Sequence, residues 1–208
     1  RALKGKVGGF VAVAIAALIL LIASYVKIIS FPRIHFIVLL VVAIVACLVA
    51  FYGKEKFGYY VLLVWPLWIA TYIRTRNLPG LKDITTGQWT LGPDLDPFLF
   101  LRWAKYIIAN GSIMAHDMMR YVPLGYDTRG ELLLTPYLIS WFYKLGSYFG
   151  FVESVTHAAV IYPVVMFFLT LIAFFFMSRK ILHGELGERY ANIGALISML
   201  IVSVLPSL

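Results

Sequence analysis

Cysteine is nearly missing from this chain. Cys47 is the only one, and it lies inside an apolar run, so neither a disulfide framework nor a cysteine-rich metal site can be built. Charge is scarce too: Asp, Glu, Lys and Arg make up 13% of the residues against 62% hydrophobic, far from the balance of a soluble globular domain. Acidic residues are the rarer sign, 10 against 18 basic, giving a net charge of +8. The cations are scattered at the ends of apolar runs, where they would meet lipid headgroups, so nucleic-acid binding is not expected. No Ser-His-Asp or Cys-His constellation stands at usable positions, which points away from a covalent enzyme intermediate and toward catalysis by positioning and charge stabilisation.

What the chain has instead is apolar runs without a single Lys, Arg, Asp or Glu, at 7–26, 34–52, 57–73, 154–178 and 190–208. Each is near the ~20 residues a helix needs to cross hydrocarbon, and backbone groups in lipid must bond within their own segment. The fold class expected is therefore an all-α integral membrane protein. Lys4 and Lys6 before the first run resemble a secretory signal, but the run has spanning length and no clear small-residue cleavage pattern follows it, so a retained helix is expected. Pro66 and Pro163 are expected to kink their helices. The chain begins at Arg1 and stops within an apolar run, which reads as part of something longer.

Seven of the ten acidic residues, including every aspartate, fall between Arg74 and Glu153. The uncharged stretch 132–143 inside this segment is too short to span, a length typical of interfacial helices. The positive-inside rule gives a separate test. If the segment does not cross, one side gathers Arg1, Lys4, Lys6, Lys54, Lys56, Arg179, Lys180 and Arg189 against Lys27 and Arg33 on the other; a crossing at 132–151 would erase that bias. The organisation expected is three spans in 1–73, an external loop at 74–153 with interfacial helices near 97–109 and 132–150, and two more spans in 154–208. The N-terminus and the basic turns would face the cytoplasm and the loop the opposite side.

Within the loop, Asp94-Leu95-Asp96-Pro97 precedes a helix in which Arg102, Lys105 and Ala109 share a face while Phe98, Leu101, Trp103, Tyr106 and Ile108 cover the rest. Such a helix suits the headgroup region. Asp96 fits its N-cap, Pro97 its first position and Asn110-Gly111 its stop. Read this way, Asp96 is structural, Arg102 a headgroup anchor, Asp117 a turn residue and His116 a solvated side chain.

The longer pattern adds a second reading. Gly92-Pro93-Asp94-Leu95-Asp96-Pro97-Phe98, Leu101-Arg102, Tyr106-Ile107, Asn110-Gly111, Asp117 and Tyr121-Val122-Pro123-Leu124-Gly125, in this order, resemble the first external loop of the oligosaccharyltransferase catalytic subunit, most closely its archaeal forms. Val204-Leu205-Pro206-Ser207 resembles the end of the helix leading to that family's second acidic motif, which would follow Leu208. Three spans precede the loop here where the family usually has one.

The resemblance implies a GT-C polytopic helical bundle with a large external loop. It implies transfer of a lipid-linked oligosaccharide to asparagine in an acceptor polypeptide bearing Asn-x-Ser/Thr, with Mg²⁺ or Mn²⁺ as cofactor, at a cell membrane and on its non-cytoplasmic face. Asp96 then becomes a metal ligand and catalytic residue, Asp94 a second acidic ligand and Asp117 an organiser of the loop or site. Arg102, His116 and Arg129 become candidates for contact with the phosphorylated donor. This portion alone would be inactive, because the second acidic motif is missing. The other readings are a different GT-C enzyme, such as a protein mannosyltransferase, or a non-catalytic membrane scaffold or transporter subunit. Transporters place ionisable residues inside their spans, where this chain has only His35 and His157, near helix starts.

Overall fold

The computed structural model describes residues 2–26 and 32–205, with the backbone alone for 2–6. Arg1, Lys27, Pro206, Ser207 and the side chains of Lys4 and Lys6 lie outside the described residues. The helices are α1 (Ala2–Tyr25), α2 (Arg33–Tyr52), α3 (Glu55–Leu62), α4 (Val64–Thr75), α5 (Leu95–Asn110), α6 (Leu134–Tyr148) and α7 (Val155–Val204), with two short strands, β1 (His116–Asp117) and β2 (Tyr126–Asp127). Among the described residues three helices are long and apolar enough to cross a membrane: Val7–Tyr25, Arg33–Tyr52 and Val155–Val204, with mean hydropathies of 2.7, 3.1 and 2.5. The chain forms two compact units, one of Arg1–Arg74 with Phe167–Leu208 and one of Thr75–Met166.

In the first unit, α1, α2 and α3 meet through small residues. Ala46 and Ala50 are fully buried, and a Cβ on Gly58 would sit 2.6 Å from the Phe10 ring and 3.0 Å from the Ala46 carbonyl. In lipid an apolar side chain gains little by leaving solvent it already likes, so close backbone approach supplies the packing. The run 57–73 is not one helix. Pro66 has no N–H for the carbonyl four residues back, and the helix breaks at Leu63, between α3 and α4. Pro163, by contrast, lies inside α7 without ending it.

α7 extends over 50 residues but holds a non-helical Gly187 at φ 74 and ψ 171, which divides it into arms of 155–186 and 188–204. Leu171 and Phe175 of the first arm share a core with Ala195 and Met199 of the second, together with Leu63, Leu67 and Ala70. Nearer the turn, Arg179 Nε donates to Asn192 Oδ1 at 2.8 Å. The arms therefore run antiparallel, and the reversal falls where the sequence changes from apolar to charged.

This hairpin defines the two ends of the unit. At one end Arg189 lies 3.5 Å from Glu55, which accepts from the Tyr59 hydroxyl at 2.9 Å, so the α2–α3 turn and the Gly187 turn are neighbours. At the other, the Arg74 guanidinium lies 3.2 Å from the centre of the Phe167 ring and donates to the Ser203 and Leu205 carbonyls at 3.2 and 3.5 Å. A cation on those last carbonyls satisfies acceptors that the helix end leaves open. The chain leaves this unit at Arg74 and rejoins it at Phe167, beside its point of departure.

In the second unit, α5 buries Leu101 and Ala104 against Ile139 of α6 and against Val152, Ala158 and Ala159. The Ser140 hydroxyl donates to the Ala104 carbonyl at 3.2 Å. α6 has 15 residues, about 22 Å of helix, short of the ~30 Å of hydrocarbon. Its exposed side carries Leu134, Trp141, Leu145 and Tyr148, spaced three, four and seven residues apart along one stripe. The start of α7 is fixed reciprocally: Ser154 Oγ accepts from the His157 N–H at 3.1 Å, and His157 Nδ1 accepts from the Glu153 N–H at 3.2 Å.

Gly187 occupies backbone space open essentially to glycine alone. Gly187→Ala is expected to lower stability by about 1–3 kcal/mol, read as a reduced thermal midpoint in detergent, whereas Gly184→Ala, inside the helix with open space around it, should be neutral or mildly stabilising.

Candidate functional site

α5 begins two residues earlier than the sequence predicts. Asp94, not Asp96, is the N-cap: its backbone is extended (ψ 149) and its Oδ1 accepts from the Leu95 N–H at 2.7 Å. Pro97 becomes the third helical residue, which is permitted because no N–H in the first turn has an intrahelical acceptor. The predicted stop is where expected, with Gly111 at φ 84 and its N–H on the Ile107 carbonyl at 2.8 Å. Asp96 therefore sits inside the first turn, exposed, and among the described residues it has no hydrogen-bond or ion-pair partner. Its charge complements the positive end of the helix.

The apolar side of the helix divides, and Phe98 and Tyr106 stay exposed. Trp103, Leu101, Ala104 and Ile107 are buried in the protein, and Arg102 is not a headgroup anchor. Both guanidinium nitrogens of Arg102 reach Asp117, with Nη1 on Oδ1 at 2.7 Å and Nη2 on Oδ2. Trp103 Nε1 donates to Oδ2 at 3.0 Å and the Met119 N–H to Oδ1 at 3.0 Å. Asp117 has no solvent exposure at all. Four donors converge on one buried carboxylate, and the Arg102 guanidinium first, then the indole and backbone N–H, hold its pKa down at about 2 against the opposing effect of burial.

Asp117 reaches this position from β1, whose alternation puts it inward and His116 outward. β1 pairs antiparallel with β2, His116 opposite Asp127 and Asp117 opposite Tyr126. Buried Thr128 closes the layer, its N–H on the Ala115 carbonyl at 3.1 Å and its hydroxyl on Met114 O. The Arg120 guanidinium stands 4.0 Å from the Tyr126 ring centre and 5.7 Å from that of Trp103, and bonds Glu131 at 3.2 Å. Arg120 thus links Glu131 and β2 to α5. Between the strands, Gly125 takes φ 76, and a Cβ there would meet the Met118 sulfur at 2.7 Å.

The remaining sequence candidates are dispersed. Arg129 spends its guanidinium on Asp127, with Nη2 on Oδ2 at 2.8 Å, and that bond holds the exposed Asp127 carboxyl at about 2. His116 is exposed and, among the described residues, has no hydrogen-bond partner. Asp94 and Asp96 share the first turn of α5, while Arg102 and Asp117 share the buried knot. Among the described residues no group of three or more His, Cys, Asp or Glu could hold a metal ion. Trp103, Glu131 and Tyr126 were missed as site-building residues. For Trp103 a buried indole N–H needs an acceptor, but spacing does not single out Asp117, because Asp96 and Asp94 lie nearer in the chain.

Removing the charge from Asp117 leaves Arg102 without its partner. Asp117→Asn is expected to cost about 2–4 kcal/mol at neutral pH, measured as a lower denaturation midpoint. Because folding lowers this pKa from the ordinary 3.8 to about 2, the contribution is complete above pH ~4 and is lost as pH falls toward 2. The gap between wild type and variant should therefore close on acidification and stay constant from pH 5 to 8.

Comparison with protein-family models, with curated proteins and with solved structures finds no match to this chain.

Proposed function

We propose that this chain is part of a membrane glycosyltransferase that moves an oligosaccharide from a lipid-linked phosphate or pyrophosphate to asparagine in Asn-x-Ser/Thr acceptors. The observation that carries this reading is the state of Asp96: an exposed carboxylate without a partner among the described residues, inside the run from Gly92 to Gly125 that resembles the oligosaccharyltransferase loop. Every other aspartate in that run is engaged, Asp94 on a helix N–H and Asp117 on four donors.

Sidedness follows from charge. Lys54, Lys56, Arg179, Lys180 and Arg189 belong to the two turns that the Glu55–Arg189 pair brings together, and a cytoplasmic location for that end fits the positive-inside bias. The segment between Arg74 and Phe167 departs and returns at the opposite end of the first unit, as an external loop would. The apolar stripe of α6 would then rest on the outer lipid surface, and Trp141 and Tyr148 are residues that favour that level.

Asp96 and Asp94 offer carboxylate oxygens, the donor chemistry that Mg²⁺ and Mn²⁺ take. Two carboxylates are part of such a site, and acidic residues elsewhere in the full-length protein would complete it. A bound cation would neutralise charge gathering on the departing phosphate. The chain's own residues do the positioning: Asp94 fixes the start of α5, and the Arg102–Asp117 pair fixes the helix against the loop that follows it.

In the full-length protein, Asp96→Ala should reduce transfer of a lipid-linked glycan to an Asn-x-Thr peptide by at least ~100-fold, the scale of losing a principal charge-stabilising group, with the denaturation midpoint unchanged. Transfer at the wild-type rate would remove Asp96 from the site, and transfer to serine or threonine peptides instead would favour a protein mannosyltransferase. Topology has its own measurement. In a Cys47→Ser background, a membrane-impermeant maleimide added outside intact cells should label Ser147→Cys and spare Gly184→Cys; the reverse pattern would contradict the proposed sidedness.

A further inference from the structure

The first unit contains an apolar cavity of about 390 Å³ that neither α5 nor the loop approaches in sequence. Gly9, Phe10 and Val13 of α1 line it, with Tyr59, Leu62 and Pro66 on one side and Ile193, Leu196 and Leu200 of the second α7 arm on the other. The volume is in the range of small-molecule sites. Its α1 and α7 walls lie within segments long and apolar enough to cross a membrane, and on that reading lipid is the medium at its mouth.

One end of this cavity is charged. Tyr59, a lining residue, donates its hydroxyl to Glu55, and Glu55 in turn lies 3.5 Å from Arg189. Arg189 Nη2 stands 4.0 Å from where a Cβ on Gly9 would be, so the guanidinium reaches the lining itself. Lys54 and Lys56 flank Glu55 in sequence, and Arg189 keeps about half of its side chain exposed (47%). An apolar slot with Arg189 at its end, and with Lys54 and Lys56 next to Glu55 in the chain, matches an amphiphile with a hydrocarbon chain and an anionic head. Basic pockets between membrane helices recognise acidic lipid headgroups in this way.

We infer that the cavity between α1, the α3–α4 segment and the second arm of α7 is a site for an anionic phospholipid, its acyl chain along Phe10, Val13, Leu62 and Leu196 and its phosphate at Arg189, Lys54 and Lys56. A long side chain at Gly9 would extend into the junction between the slot and the guanidinium, whereas a Cβ alone meets only Arg189 Nη2, at 4.0 Å. The site rests on the membrane reading alone and is independent of glycan transfer. Its charged end lies at the end of the first unit opposite Arg74, and α1, one of the two spans that precede the family-like portion, forms one wall.

The test is lipid retention by the purified chain. Protein in detergent is exposed to equal amounts of phosphatidylglycerol and phosphatidylcholine of the same acyl composition, washed, and its lipid extracted and quantified by mass spectrometry. Wild type should keep close to one phosphatidylglycerol per chain, favoured over phosphatidylcholine by roughly ten-fold or more. Gly9→Leu should abolish retention. Lys54→Gln combined with Arg189→Gln, surface changes that leave the slot intact, should bring the ratio of the two lipids to about one. Equal retention of both lipids by wild type, retention of neither, or an unchanged preference in the double variant would each overturn the proposal. If Gly9→Leu fails to fold, the double variant decides.

Discussion

The second unit depends on one carboxylate that has been taken entirely out of water. A buried charge is tolerated only when its lone pairs are filled, and Asp117 fills them from three places in the chain: Arg102 and Trp103 on α5, and the Met119 backbone just beyond the strand. Because those donors are fixed in direction, the carboxylate sets where β1 lies against α5, and β2 follows through its pairing with β1. The aromatic and acidic neighbours extend the same knot, since Arg120 spans Trp103, Tyr126 and Glu131. A loop of almost no regular structure between Gly111 and Leu133 thereby gains a defined shape without a hydrophobic core of its own.

Much of the first unit was legible because lipid simplifies the problem. A run without charge must become helix, and 7–26, 34–52 and the two runs of α7 did so. What the pattern could not convey was continuity: the third run breaks at Leu63 although its composition is uniform, because one missing N–H at Pro66 acts on a carbonyl a turn earlier. Pro163 has the same defect and leaves no break in α7, so the effect depends on neighbours that periodicity does not see. The reversal at Gly187 was readable only as a charged interval, since φ 74 is a property of backbone and not of hydropathy.

In the loop the sequence pattern marked individual residues and misjudged several of their relations. Arg102 and Asp117 were both singled out, yet as separate contacts with solvent, lipid or donor, when each is the other's partner. Fifteen positions apart and outside any shared helix face, they offer no spacing rule that would join them. The apolar side of α5 illustrates a related limit: a moment shows that one face seeks a non-aqueous neighbour but not whether that neighbour is lipid or α6. Here α6 and the start of α7 take it, and the unclaimed apolar stripe falls on α6 instead.

The contrast between Asp96 and Asp117 is the most useful consequence. A carboxylate already saturated by four protein donors cannot release them for a ligand without losing the desolvation it has already undergone, which makes Asp117 a positioning residue. Asp96 carries no such debt: exposed, it keeps both oxygens, and its charge complements the helix N-terminus beneath it. Free carboxylate oxygens and structural engagement thus separate onto different acids within one short loop. The buried one fixes the loop against α5, and under the proposed function the exposed one would act from the first turn of that same helix.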